Sequence, residues 1–480
     1  MQRFLTVATC ALALAACSDA PTTLSEATRP SFSTGTVAVD PALTEALATA
    51  SSDEALEVIV NFDETLTTTA DLTRAVLSLG AGVIEFKHLS VLAALATPTQ
   101  ISAIQALPGV QSLYLNRQLR YLNKEGVGSI NADDVHALGI TGKGIGVAIL
   151  DSGIDGAHPD LAYPSKTVAN VKYVANVRDA YYFEGNTNKT IKKGAALFVD
   201  GVVNSESSIG HGTHVAGTAA GTGEASGGKY KGVAPGASLV GIGAGDVLFI
   251  FWILAGFDYI LDHQKEYNIK VVNNSWGSEG AFDPNDPINE ATREVYRKGI
   301  TVVFAGGNSG PDQNTMNPYS VAPWVISVAA GCKFGDDPTN SRSHCPDLTN
   351  SGREEVLADF SSRGIPGDAM YHPDITAPGV HIVSTRASTG TVMNGLDLNH
   401  DARICAIDLT HEPYYTCASG TSMASPHVAG VVALMQEAAG GTLTPDQVLD
   451  TLVKTAKPLT GYAKWEVGAG YVDALAAVKA

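Results

Sequence analysis

The sequence is poor in charge. Only 17% of its 480 residues are Asp, Glu, Lys or Arg, against about 25% in an average soluble chain. Hydrophobic residues make up 45%, which excludes a mainly disordered polypeptide. Positive charge is scarcest: 31 Lys and Arg face 49 Asp and Glu, a formal net charge of −18. So acidic a chain has little to offer a phosphate backbone, which excludes a nucleic-acid partner. The apolar stretch at the start, residues 4–16, is far shorter than the roughly 20 residues a membrane-spanning helix needs. Cysteine is sparse, six in all, and none stands in Cys-x-x-Cys spacing, so zinc ligation has no framework. Glycine is plentiful, 49 residues, as in a tightly packed fold with many turns.

Residues 1–16 carry one basic residue, Arg3, ahead of the apolar run and read as a signal peptide. The run ends Leu14-Ala15-Ala16-Cys17, which resembles the bacterial lipobox and implies lipidation at Cys17. Ordinary cleavage nearby is the alternative. Residues 17–50 then read as a tether. With Cys10 and Cys17 in the leader, four cysteines remain, and an exported chain can pair them in three ways. Neighbour pairing, Cys332 with Cys345 and Cys405 with Cys417, closes short polar loops.

Residues 51–120 read as a β-α-β-β-α-β pattern in which these segments stand out: strand-like 56–62, helical spacing over 69–79, strand-like 86–96, a helix over 99–107 stopped by Pro108-Gly109, and a closing strand at 110–115. That is the split, ferredoxin-like α+β arrangement, and it could stand as a separate binding module. The pattern lapses over 116–129, which reads as an exposed linker open to proteolysis. From Gly144 onward, buried-looking β runs at 145–150, 238–242, 270–274, 300–305 and 325–329 alternate with helix-length segments. This predicts an α/β domain over 121–480, a parallel sheet with helices on both faces.

Asp151 follows the apolar run 145–150, at the carboxyl end of a predicted parallel strand, where open α/β sheets place their sites. An Asp at a strand end is also a common turn former. His211 stands at the start of a helix in Gly210-His211-Gly212-Thr213-His214-Val215-Ala216-Gly217, whose small residues permit close packing. The His211/His214 spacing lacks the i, i+4 pair and intervening Glu of a metalloprotease helix, so His214 reads as a packed core histidine. Ser422 lies in Ser419-Gly420-Thr421-Ser422-Met423-Ala424-Ser425-Pro426-His427, which opens an apolar helix. A serine there is usually a cap, but three serines compete for that role and the Gly-Thr-Ser turn displays Ser422. A serine nucleophile needs a base to take its proton and a carboxylate to orient that base, which an Asp, a His and a Ser ending at one face would supply.

The three motifs, in the chain order Asp, His, Ser, resemble those of the subtilisin-like serine proteases, and the likeness covers roughly residues 130–478. The resemblance implies a subtilisin-like domain in which Asp151 orients, His211 acts as general base then acid, and Ser422 attacks the peptide carbonyl. Asn308, in Ala305-Gly306-Gly307-Asn308, matches the oxyanion donor. Ser275, Trp276, Gly277 and Gly306 match substrate-binding positions, with Gly245-Asp246-Val247-Leu248 as the opposite edge, and Trp276 alone would pass for a core aromatic. The segment 51–120 matches an inhibitory propeptide, so the implied partners are protein or peptide substrates and the chain's own propeptide. The precursor would be membrane-tethered if Cys17 carries lipid. No cofactor is implied for the chemistry. Asp160 matches a ligand of a structural calcium, although the loop 221–231 that should complete the site lacks the expected Asn. Two other classes remain: a catalytically silent scaffold, and an ester or lipid hydrolase, whose Gly-x-Ser-x-Gly elbow is absent around Ser422.

Overall fold

The computed structural model describes residues 37–39, 41–85, 91–115, 126–173, 198–245, 248, 250–284, 286–333, 356–396, 405 and 407–480. Cys17, Cys345, Asp246 and Val247 therefore lie outside the described residues, as do the expected lipidation and the Cys332–Cys345 pairing. The chain divides into two compact units between Tyr121 and Leu122. Among the described residues, no helix is long and apolar enough to cross a membrane.

In the first unit, strand Leu56–Phe62 buries Val58, Val60 and Phe62 on one face, the period-2 pattern of a half-buried strand. Helix Thr69–Ser78 begins where Thr68 accepts a hydrogen bond from Asp71 N–H, and helix Pro98–Gln105 begins with a Thr97/Gln100 capping box and proline in its first turn. The strands order as Ala38–Val39, Val110–Leu115, Leu56–Phe62, Val91–Ala96, Gly82–Glu85, and the last four pair antiparallel with one another. Strand Ala38–Val39 pairs parallel with Val110–Leu115, and the helix Pro41–Thr49 beside it buries Leu43. The folded unit thus begins inside the stretch read as tether. A two-residue strand and one short helix lack the length from which a period can be read.

The second unit is built on a mostly parallel sheet ordered Val356–Leu357, Ile326–Cys332, Thr301–Ala305, Ile269–Asn274, Gly146–Asp151, Ser238–Gly243, Thr167–Tyr173, Phe198–Val199, with Ile375–Pro378 also paired to Ile326–Cys332. Alternate residues feed two cores. Val147 and Ile149 join the helices His211–Ala220 and Thr421–Ala438 on one face, while Ala148 and Leu150 join Ile250–His263 and Pro287–Arg297 on the other. Because Gly146–Asp151, Ile269–Asn274 and Thr301–Ala305 run parallel side by side, the loops after Asp151, Asn274 and Ala305 leave from the same edge. The expected linker ends early: Gly126–Ser129 is helical and Val127 is buried in this unit's core.

Candidate active site

Asp151 closes its strand and is almost fully buried, its Oδ1 accepting from Ser152 N–H and from His211 Nδ1, both at 2.7 Å. The carboxylate can only accept, so Nδ1 carries the ring proton and Nε2 is left as the basic nitrogen. His211 is the first residue of helix His211–Ala220, and glycine follows it because a Cβ at Gly212 would collide with the Gly153 carbonyl. That missing side chain lets the helix seat directly on the strand end. Burial pushes the His211 pKa down, but the charge and hydrogen bond of Asp151, joined by the charge of Glu206, outweigh it, and the net shift is upward. His214, fully buried with Nε2 3.0 Å from the Ile382 carbonyl, is driven down to about 3 by desolvation and stays neutral.

Ser422 is the second residue of helix Thr421–Ala438, which packs against the His211 helix, and no side chain caps this helix. Its hydroxyl donates to the Ser275 carbonyl at 2.9 Å, while Ser275 Oγ donates to the Ser422 carbonyl at 2.9 Å and meets Ser425 Oγ at 2.8 Å. Asn308 Oδ1 accepts from Thr421 N–H and Thr421 Oγ1, each at 2.8 Å. An N–H can only donate, so the amide is oriented: its oxygen faces Thr421, and its NH2 group is directed away, on a side chain that lines the cleft. A Cβ at Gly420 would stand 3.3 Å from Asn308 Nδ2 and 3.6 Å from Ser422 N, so both donors border one small space that the glycine keeps empty.

The cleft, about 480 Å³, has Gly277, Ser278 and Glu279 among its lining residues, with Ala305, Asn308 and Ser422. Trp276 borders it too, with its indole N–H donating to the Leu150 carbonyl at 2.8 Å and its ring edge-on to Phe304. Gly306 is set back: its N–H donates to Val328 and its carbonyl accepts from Asn317 N–H, so both polar groups are engaged within the fold.

A family model described as "Subtilase family" matches residues 142–472. The chain belongs to the subtilase family. This subtilase is 30% identical over 410 residues to serine protease AprX of Bacillus subtilis, a match covering 81% of this chain and 79% of that one. It is 32% identical over 353 residues to an extracellular protease of Xanthomonas campestris, covering 71% of this chain and 52% of that one. Among solved structures it is similar to sphericase, with a TM-score of 0.51 and 26% identity, covering 69% of this chain and 92% of sphericase. The fold is the subtilisin-like α/β fold and the enzyme is a subtilisin-like serine protease.

The calcium expected at Asp160 does not fit this subtilase. Asp160 is fully buried, its Oδ2 accepting from Tyr415 OH at 2.7 Å and its Oδ1 from Ala225 N–H at 2.8 Å. Both oxygens face proton donors, whereas a calcium ion needs acceptors turned inward. Among the described residues, no three His, Cys, Asp or Glu side chains gather as metal ligands. Asp160 is a hydrogen-bond anchor for the Tyr415 strand, which the Cys405–Cys417 disulfide also fastens.

Sequence reasoning missed three side chains here. Asn317 Nδ2 bridges the Trp276 and Ala305 carbonyls, each at 3.0 Å, and its amide occupies the space a Cβ at Gly277 would take, so it ties two loops of the cleft together. Thr421 orients Asn308, and Glu206 holds the His211 helix. The one legible signal was Gly277 itself, a glycine with no turn to explain it.

Proposed function

We propose that this subtilase is an exported zymogen whose endopeptidase chemistry runs through Asp151, His211 and Ser422, with Asn308 as oxyanion donor. The observation carrying this reading is the 2.7 Å contact between His211 Nδ1 and Asp151 Oδ1, made by the helix packed on the one that presents Ser422. Rotation of the Ser422 hydroxyl away from the Ser275 carbonyl hands its proton to His211 Nε2 as Oγ attacks the substrate carbonyl carbon. The oxyanion takes hydrogen bonds from Asn308 Nδ2 and Ser422 N–H, interactions strongest once the charge has formed. His211 then protonates the leaving amine, and water, activated by the same nitrogen, hydrolyses the acyl-enzyme. Extended substrates pair with backbone at residues 275–277, the strand-addition mode that binds many sequences.

The signal peptide and the extracellular relative support export. The separate α+β unit ahead of the peptidase unit supports a propeptide that acts as the enzyme's own inhibitor until it is digested. With lipid on Cys17, cleavage between the units would free the peptidase from the membrane.

Ser422→Ala tests the reading. The variant stays folded, does not digest casein and does not process itself, whereas wild type does both and is stopped by a serine-directed covalent inhibitor. A Ser422→Ala protein that still matures in purified form would sink the assignment. Cell fractionation tests the tether: the full-length variant is expected in membranes and the wild-type peptidase in the soluble fraction, and a soluble full-length variant contradicts it.

A further inference from the structure

Glu206 is a buried acid that the chemistry above leaves unused. Its position is set by the helix that begins at His211. That helix starts from Gly210, which has φ 80° and no side chain with which to cap the exposed N–H groups of the first turn. Two other residues do it instead. Gly212 N–H donates to Ser152 Oγ at 2.8 Å, and Thr213 N–H donates to Glu206 Oε2 at 2.8 Å. Thr213 Oγ1 donates to the same oxygen at 2.6 Å and accepts from Asp155 N–H at 3.0 Å. Ser207 N–H reaches Glu206 Oε1 at 2.9 Å.

We propose that Glu206 is a positioning residue for His211, fixing the first turn of its helix from outside and adding a second negative charge that favours the imidazolium form. The proposal rests on the reading of His211 as general base. The backbone N–H groups of Thr213 and Ser207 can only donate, so both Glu206 oxygens receive hydrogen bonds, as suits a carboxylate. The charged or titratable groups around it are Asp151 at the strand end, Asp155 behind Thr213, His211 on the capped helix and Lys172, whose Nζ donates to the Glu206 backbone carbonyl at 3.0 Å. Burial pushes the Glu206 carboxyl above the ordinary range, the hydrogen bonds from Thr213 and Ser152 oppose this, and the charge of Asp151 adds to it. Its charge in turn raises the His211 pKa. An ordinary cap would stabilise the helix and stop there. A carboxylate at this place also changes the proton affinity of the base.

The test is Glu206→Gln, which keeps the size and removes the charge. In a Ser422→Ala background, the His211 midpoint is read by imidazole NMR, without turnover. In the active enzyme, kcat and KM are read on a soluble peptide. The expected result is a His211 midpoint lower by about half to one pH unit, and kcat lower by about 10-fold with KM within about 2-fold. A midpoint and kcat equal to wild type would overturn the proposal. If Glu206→Gln does not fold, Ser152→Ala removes a capping hydrogen bond but no charge. It should lower kcat and leave the midpoint in place, and an unchanged kcat there would overturn the positioning role. Because the midpoint is measured without catalysis, it can fail while His211→Ala still abolishes turnover, so the two readings are separable.

Discussion

Asn308 Oδ1 accepts two hydrogen bonds from one residue, the N–H and the hydroxyl of Thr421, each 2.8 Å long. Thr421 Oγ1 also accepts from Gly307 N–H at 3.2 Å, so the loop bearing Asn308 and the helix bearing Ser422 are tied at the point where their donors converge. In the proposed role of oxyanion donor, the amide would meet the charge already oriented, with little reorganisation left for the moment of reaction.

Thr421→Val keeps the shape and the N–H but deletes the hydroxyl. Removing an oxyanion donor outright in a subtilisin costs about 10²–10³ in kcat. Loosening it should cost less, about 10-fold in kcat with KM little changed, in steady-state assays on a peptide amide. An unaltered kcat would mean that the N–H alone orients Asn308.

Gly420→Ala places a methyl group 3.3 Å from Asn308 Nδ2, inside the space where the proposed mechanism puts the oxyanion. The expected loss is of the order of 100-fold in kcat, close to loss of the donor itself. Binding of a covalent transition-state mimic should weaken in parallel. A fully active Gly420→Ala enzyme would place the oxyanion elsewhere.

His211 is shifted upward from the ordinary 6.5 by Asp151 and Glu206 despite burial. The basic nitrogen works only when unprotonated, so activity is lost as pH falls, and the raised value moves that loss to higher pH. The acid limb of kcat/KM should have its midpoint above about 6.5. A midpoint at or below that value would contradict the direction of the shift.

Tyr415→Phe removes a donor from the buried Asp160 carboxylate. Leaving that oxygen unpaired should cost about 1–3 kcal/mol, seen as a lower melting temperature. The loss should be the same with and without a calcium chelator. A loss seen only with the chelator would restore a cation at Asp160.

Much of this site was legible because its parts sit where local signals are strongest. Asp151 ends a run of six buried strand residues, His211 opens a helix of small residues, and Ser422 is the second residue of an uncapped helix entered from Gly420. The strand runs read from residue 145 onward reappear as Gly146–Asp151, Ser238–Gly243, Ile269–Asn274, Thr301–Ala305 and Ile326–Cys332, since fully buried parallel strands are continuous in apolar residues. What escaped depends on distant partners. Asp160 keeps the residue type of a calcium ligand, yet its role is decided by Tyr415, 255 positions away. Glu206 sits in the polar run Asn204-Ser205-Glu206-Ser207-Ser208 ahead of His211, where nothing local distinguishes a cap from a surface acid. Asn317 acts through carbonyls, which no side-chain pattern reveals.

The most direct test of the central claim is to label the purified protein with a fluorophosphonate and map the adduct by peptide mass spectrometry. One adduct, on Ser422, formed rapidly in wild type and lost in His211→Ala, is the result predicted by a serine activated by an oriented histidine. Labelling on another residue, or labelling of Ser422 that is undiminished in His211→Ala, would contradict it.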